Sequence, residues 1–349
     1  MSEDVWSESD TNPDAIDAAL RELLFNRHAE NQSLAPARVL NLVVIVDREW
    51  KGEIANRLER VGRYNASRTL LCAVEDGRTT LDATAVMSYE EPSNGLGVIH
   101  EQVEIDMGPE HLSRIDTIVD PVLVSELPTV VWSPHGHQDA IDTLNGMVDV
   151  MLLDSDDTLD PAEGLARAAH ALEEAYVVDL AWLRTTPWRE RLAASFDPSD
   201  RLAMLTSLSG LSVRHRESSA ASALLLAGWL CSRLHWDPSQ LEGGGGNLHG
   251  RAARNGDGVE ITLEPTDMSV PGLAGVTVCC PADFALSLDR GPGGLTAKET
   301  SPQGEEREWR VLGASRGEGG ILGEGVRQAL LRDPTYGPAL KAARKLCPA

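Results

Sequence analysis

The chain lacks the short motifs by which many nucleotide-binding enzymes and zinc proteases are recognised. No Gly-x-x-x-x-Gly-Lys-[Ser/Thr] sequence occurs, because none of the four lysines among its 31 basic residues follows a glycine. No Gly-x-Gly-x-x-Gly sequence follows a predicted strand, and His-Glu-x-x-His is absent as well. These absences exclude a P-loop and remove the usual sequence support for a dinucleotide site. We therefore expect neither a cofactor nor a metal.

Positive charge and paired cysteines are also scarce. Fifty-four acidic residues face 31 basic ones, and the formal net charge of −23 repels nucleic acid and anionic membranes. The five cysteines include no Cys-x-x-Cys pair, and their odd number is typical of reduced thiols rather than of a disulfide framework. We expect neither nucleic acid nor a membrane among the partners.

No secretory or membrane-spanning segment is visible. Residues 1–10 are acidic and lack the basic and apolar regions of a signal peptide. The longest strongly apolar run, residues 219–231, is shorter than the roughly 20 residues that a membrane span requires. We predict that this run is a buried helix and that the chain is cytoplasmic.

The first half of the chain predicts a mostly parallel sheet. Residues 1–30 hold an acidic leader, which is predicted to begin disordered, and a first helix. Between residues 31 and 175, apolar runs alternate with helical patterns, which is typical of an α/β domain with helices on both faces of its sheet. These runs are residues 39–46, 67–74, 129–132 and 148–153. Two alternating segments, residues 79–87 and 100–106, predict an antiparallel hairpin at the edge of the sheet.

The second half, residues 176–349, predicts an α+β domain with an antiparallel meander. Residues 176–182 are predicted to form a short strand, and Thr186 with Pro187 to start a helix that ends near Phe196. After a glycine-rich turn at residues 243–246, alternating segments separated by Gly, Pro and Asn are typical of antiparallel strands with one solvated face. Two helices are predicted to end the chain.

A polar loop follows the predicted strand at residues 129–132. Ser133, His135 and His137 would lie at the carboxyl end of a parallel strand, where α/β sheets bind ligands. The loop would then serve a sugar-phosphate-binding enzyme or a metabolite sensor. The alternative is an ordinary strand-to-helix connection, because two alternating histidines without a third ligand are a weak signal for a metal.

A second candidate site is a concentration of tryptophan and arginine in residues 175–192. Tryptophan and arginine are the residue types that anchor protein interfaces. The wider segment 181–216 carries six arginines against three acids, a local positive charge that would suit an anionic partner or a phosphorylated metabolite. The alternative is that the tryptophans belong to the core and the arginines pair with nearby acids. The candidate partner-binding residues are Trp182, Arg184, Trp188, Arg189 and Arg191.

Six segments carry a family resemblance: residues 38–46, 67–71, 102–106, 124–135, 175–192 and 219–229. Together they resemble the glucose-6-phosphate dehydrogenase assembly protein family (OpcA), of the actinobacterial type. The resemblance is clear over roughly residues 38–236 and looser after residue 243. It implies a non-enzymatic partner that binds glucose-6-phosphate dehydrogenase, the entry enzyme of the oxidative pentose phosphate pathway, and assembles or activates it. No catalytic residue comes with this resemblance, so none is predicted.

Overall fold

The computed structural model describes residues 2–30, 34–36, 38–62, 67–90, 97–254, 257–281, 283–312 and 317–348. The chain divides into two compact units. The first comprises Met1–Leu153, Glu174–Val178 and Leu322–Leu330, and the second comprises Asp154–Glu173, Asp179–Ile321 and Leu331–Ala349. The domain boundaries predicted after residues 30 and 175 stay predictions.

Helices and strands are interspersed along the described chain. Up to residue 179 they are β1 (Ser2–Glu8), α1 (Pro13–Glu30), β2 (Leu34–Pro36), β3 (Leu40–Asp47), α2 (Lys51–Gly62), β4 (Ser67–Val74), β5 (Asp82–Glu90), β6 (Gly97–Met107), α3 (Ile115–Val119), β7 (Thr129–Trp132), α4 (Gln138–Leu144), β8 (Val150–Leu153), α5 (Pro161–Glu174) and β9 (Tyr176–Asp179). After it they are α6 (Leu180–Ser195), α7 (Ser199–Leu202), β10 (Gly210–Arg216), α8 (Ala220–Leu234), β11 (Asp237–Pro238), β12 (Glu242–Gly244), β13 (Asn247–Arg254), β14 (Asp257–Thr266), β15 (Leu273–Cys279), β16 (Ala285–Gly291), β17 (Gly294–Thr300), β18 (Glu306–Leu312), α9 (Gly317–Gln328) and α10 (Tyr336–Leu346).

The sheet of the first unit is parallel at its centre. Its described strands lie in the order β1-β5-β6-β4-β3-β7-β8-β9, with β2 beside β6. Strand β3 is parallel to both β4 and β7, and β4 is parallel to β6. β3 and β4 are buried along almost their whole length, which explains why their sequences are continuously apolar. The predicted parallel sheet and the antiparallel β5–β6 pair are confirmed.

The acidic leader forms a strand, so the prediction that it begins disordered was wrong. Ser2–Glu8 pairs antiparallel with β5 along its length, which makes β5 an interior strand rather than an edge. Trp6 packs against the apolar core of this unit, and Asp4 accepts a hydrogen bond from Arg27 Nε at 2.8 Å. The prediction was based on charge alone. It therefore did not include the backbone pairing with β5 and the packing of Trp6, which order the segment.

The sheet of the second unit is mostly antiparallel. Its described strands lie in the order β11-β13-β14-β10-β15-β16-β17-β18, with β12 beside β13 and only β10 and β14 parallel along that path. In β10, Leu211, Val213 and His215 are buried and alternate with partly exposed residues. Helix α8 packs against β10 and β14 and covers the buried side. The predicted meander and the predicted buried helix at residues 219–231 are confirmed, the helix spanning Ala220–Leu234.

The glycine-rich segment is a tight hairpin turn between β12 and β13. Gly244 pairs with Asn247, and the intervening Gly245 and Gly246 have φ angles of +63° and +86°. A two-residue hairpin turn with positive φ at both central positions favours glycine, because residues that have a side chain rarely adopt that backbone conformation. The glycines are therefore explained by the turn itself.

Candidate functional site

Helix α6 carries all five residues predicted to bind a partner. It begins at Leu180, and Asp179 caps it by accepting a hydrogen bond from Ala181 N at 3.0 Å. The predicted start at Thr186 and Pro187 was wrong, because Pro187 lies inside the helix. The helix begins before Thr186 because the buried carboxylate of Asp179 already accepts a hydrogen bond from the N–H group of Ala181 in its first turn.

Trp182 is held inside the second unit by polar contacts as well as by packing. The residue is 3% exposed, and its indole Nε1 donates to Asp333 Oδ2 at 2.9 Å. The guanidinium of Arg189 lies 3.5 Å from the ring centroid, a cation–π contact, and the Tyr336 ring centroid is 5.6 Å away. Burial alone would raise the pKa of Asp333, but hydrogen bonds from Thr335 and Trp182 lower it below its ordinary value.

Arg189 and Trp188 complete this interior cluster. Arg189 Nε donates to Thr185 Oγ1 at 2.9 Å, and Nη2 donates to Thr186 Oγ1 at 3.0 Å. Burial lowers the pKa of Arg189 to about 10, and the carboxylate of Asp333 opposes this effect. Trp188 is among the largest fully buried side chains, at 1% exposed. Both residues therefore serve the interior of the unit.

Arg184 forms a buried ion pair. Its Nη1 and Nη2 donate to the two carboxylate oxygens of Asp154 at 2.7 and 2.6 Å. Both side chains are less than a tenth exposed. Nη1 also lies 3.6 Å from Asp156 Oδ2. A two-pronged guanidinium–carboxylate pair of this kind fixes the geometry of both partners.

The structure thus brings four of the five predicted residues together inside the unit and leaves Arg191 exposed. Burial gives Trp182, Trp188 and Arg184 little surface with which to touch another protein. They hold α6 in place, and Arg191 on the same helix is the predicted contact residue that a partner can reach. Its contact with a partner stays a prediction.

Sequence reasoning missed the loop that receives Arg184. Residues Asp154–Asp157, which we call the aspartate loop, follow β8 directly. Ser155, Asp156 and Asp157 line one wall of an open cavity of ≈ 670 Å³, and Arg216, Glu217 and Ser218 line another part of it. The available signal was three aspartates within four residues at the end of a predicted buried strand.

The predicted ligand loop of the first unit contacts residues of β3 and of the segment after it. Ser133 Oγ donates to Ile45 O at 3.2 Å, and His137 Nε2 lies 3.1 Å from Asp47 Oδ1. The His135 ring stacks on Trp50 with centroids 5.0 Å apart. Burial lowers the pKa of His135 below its ordinary value, and the carboxylate of Asp47 opposes this effect.

These histidines lie at the topological switch point of the first sheet. Strand β4, which follows β3 in the chain, lies on one side of β3, and β7 lies on its other side. Ligands of α/β sheets bind beyond the carboxyl ends of the strands at the point where the strand order reverses in this way. The last residue of β3 and the four that follow it, residues 47–51, read Asp-Arg-Glu-Trp-Lys and lack the glycines that let a pyrophosphate approach the backbone. Asp47 and Trp50 contact the histidine loop instead. These residues do not form a dinucleotide cradle.

Neither a metal centre nor a membrane span is found in the described part of the chain. Its histidine, cysteine, aspartate and glutamate side chains form no group of three or more that could hold a metal ion. No helix in the same part is long and apolar enough to cross a membrane.

Two protein-family models match consecutive parts of the chain. The model of the glucose-6-phosphate dehydrogenase subunit N-terminal domain matches residues 58–170, and that of the C-terminal domain matches residues 175–340. Together they account for most of the sequence.

Curated relatives and solved structures are also similar to this chain. A putative OxPP cycle protein OpcA of Synechococcus elongatus is 30% identical over 244 residues, which is 68% of this chain and 53% of the relative. Its counterpart in Synechocystis is 26% identical over 227 residues, 63% of this chain and 47% of the relative. The chain spans about half the length of the curated relatives it matches. A structure of a super-repressor mutant of Gal80p from Saccharomyces cerevisiae aligns with a TM-score of 0.46 at 7% identity, over 85% of this chain and 83% of that one.

Proposed function

Because this chain belongs to the OpcA family of glucose-6-phosphate dehydrogenase subunits, we propose that it is a non-enzymatic assembly factor and allosteric activator of that dehydrogenase. It acts in the cytoplasm, in the oxidative pentose phosphate pathway, by binding the enzyme directly and favouring its active form. The match of both subunit domains along one chain carries this proposal.

The geometry of the first unit supports the non-enzymatic part of the proposal. Its sheet has the switch point at which α/β architectures bind a ligand, but Asp47 and Trp50 contact the histidine loop there. A carboxylate beside this crevice also opposes the approach of a phosphate. These features favour a protein that changes the activity of a partner enzyme over one that catalyses a reaction itself.

Activation requires that the chain bind one state of the enzyme more tightly than another. A partner that binds both states equally shifts no equilibrium, however tight the binding. A rigid contact surface favours such discrimination, since a flexible one adapts to either state. The buried contacts of Trp182, Arg184 and Arg189 supply that rigidity to α6, and we place the contact on its exposed side, at Arg191.

Exchanging Arg191 for glutamate tests this contact. Arg191→Glu is expected to weaken binding to glucose-6-phosphate dehydrogenase about tenfold, because an interfacial arginine is often worth about 1 kcal/mol or more and reversing its charge adds repulsion. The measurement is titration calorimetry of the purified enzyme with the full chain. Arg233→Glu, at the exposed end of α8 in the same unit, is the matched control and is expected to bind as the unchanged chain does.

The outcomes separate the contact site from the function. Equal affinities of both variants, with binding retained, would move the contact away from α6 and leave the function standing. No binding of the unchanged chain would contradict the function itself. Turnover of a sugar phosphate by the isolated chain, abolished by His137→Ala, would favour the alternative of an enzyme that uses the His135 and His137 loop.

A further inference from the structure

The sheet of the second unit has a covered side and an open side. Helices α8 and α6 pack on the covered side, against β10, β14 and β15. In β10, Leu211 and Val213 are buried, whereas Ser212 and Arg214 alternate with them and are partly exposed. The same alternation continues in β14, β15, β16 and β17. We call the open side of these five strands and of β18 the open face.

Hydrogen bonds join the side chains at the centre of the open face. Arg214 Nη1 donates to Thr277 Oγ1 at 3.1 Å, and Arg214 Nη2 donates to Ser287 Oγ at 3.2 Å and to Asp289 Oδ1 at 2.7 Å. A Cβ atom at Gly275 would lie 2.3 Å from Arg214 Nη2, so the glycine leaves the space in which this guanidinium crosses the strands. The face therefore presents small side chains that are already held in place, which lowers the entropic cost of association.

The open face is nearly neutral although the chain is strongly acidic. Three ion pairs lie on it, one of them shared with the neighbouring β13: Arg214–Asp289, Lys298–Glu308 and Arg251–Glu260. Apart from Arg216, which lines the cavity beside α8, the remaining charged residues of the face are Glu264, Glu306 and Arg310. They leave a net charge of −1 on the face, against −23 for the whole chain. Two such faces can therefore meet without the repulsion that other surfaces of this chain would cause.

One row of paired residues makes the open face complementary to itself. From β14 to β18 this row consists of Glu264, Arg214, Gly275, Asp289, Thr296 and Arg310. The two ends of the row carry opposite charges, and neither Glu264 nor Arg310 forms an ion pair with another residue that the structure describes. Five strand spacings of about 4.8 Å separate the two residues, so they cannot reach each other within one chain.

We propose that two copies of this chain associate through their open faces, with the two-fold axis parallel to the strands and between β15 and β16. Strand β14 of one copy then lies over β18 of the other, and Glu264 lies opposite Arg310 of the second copy at both ends of the row. In another row Glu306 lies opposite Glu260, whose charge Arg251 compensates at 2.9 Å.

The size of the open face is sufficient for a stable dimer. Its six strands are each at least seven residues long. At the usual spacings such a sheet offers roughly 650 Å² per copy, or about 1,300 Å² in total, which is within the range of specific interfaces.

Analytical ultracentrifugation of the full chain alone tests the dimer separately from the proposed function. The expected mass is twice the 37.6 kDa of one chain. Glu264→Arg and Arg310→Glu each place like charges opposite each other at both ends of the row, and each is expected to weaken association by about tenfold or more. Combining the two exchanges restores opposite charges and is expected to restore association. This rescue can arise only between two copies, because the two residues are too far apart within one.

Two further variants complete the experiment. Arg307→Glu is the matched control, because Arg307 is exposed on the same strand but on its other side, paired with Glu299. It is expected to dimerise as the unchanged chain does. Ser287→Arg places a long charged side chain at the centre of the face and is expected to give a monomer with an unchanged circular dichroism spectrum.

Three results would overturn the proposal. The first is a chain that sediments as a monomer at every concentration, and the second is a combined variant that associates no better than the single ones. The third is a monomeric chain whose binding to glucose-6-phosphate dehydrogenase is abolished by Ser287→Arg, which would assign the open face to that enzyme instead.

Discussion

Replacing Arg184 by leucine is expected to lower the free energy of unfolding of the second unit by about 3–5 kcal/mol. The guanidinium donates to both carboxylate oxygens of Asp154 and lies 3.6 Å from Asp156, and both it and Asp154 are less than a tenth exposed. Leucine fills part of the space but leaves these carboxylates buried without a cation. The cost of an unpaired buried charge exceeds that of losing the pair as a whole.

Urea denaturation at pH 8 measures this loss. Arg191→Leu, on the same helix but exposed, is the control and is expected to change stability by less than about 0.5 kcal/mol. A loss below about 1 kcal/mol at pH 8 would show that the ion pair does not hold α6.

Trp188→Ala is expected to lower the free energy of unfolding of the second unit by about 3–5 kcal/mol, the range for a large aromatic side chain removed from a packed core. Trp188 is only 1% exposed, so its removal leaves a cavity inside the second unit. Its neighbours on α6 are fixed by their own contacts, and the helix cannot collapse freely to fill the space. Equilibrium unfolding monitored by far-UV circular dichroism gives the value.

Trp50→Ala is the matched control for this substitution. Trp50 belongs to the first unit, is 39% exposed and stacks on His135. Its removal exposes no core, so we expect a cost of about 1 kcal/mol. Equal costs for the two tryptophans would contradict the assignment of Trp188 to the interior.

The classes of secondary structure could be predicted because they follow from local patterns. Continuous apolar sequences predicted β3 and β4, since strands buried on both faces need no alternation. Alternation predicted the pairing of β5 with β6 and the sheet of the second unit. The start of α6 could not be predicted in this way, because its cap, Asp179, is recognisable only once Ser155 and Tyr336 are known to surround it.

The roles of the tryptophan and arginine side chains depend on contacts between distant parts of the sequence. Trp182 donates to Asp333 and Arg184 pairs with Asp154, and no spacing rule connects these positions. Composition alone does not decide between interface and core for a cluster of such residues. The aspartate loop could not be predicted for the same reason, because its partners lie at the end of β9 and on α6 and α8 rather than in its own segment.

The central claim is that this chain activates glucose-6-phosphate dehydrogenase by binding it. Initial rates of the purified enzyme, measured against glucose 6-phosphate concentration with and without saturating chain, test this most directly. We predict that the chain lowers the apparent KM about tenfold, which needs only about 1.4 kcal/mol of preference for the active state, while the chain alone reduces no NADP⁺. Superimposable rate curves in the presence and absence of the chain would contradict the claim.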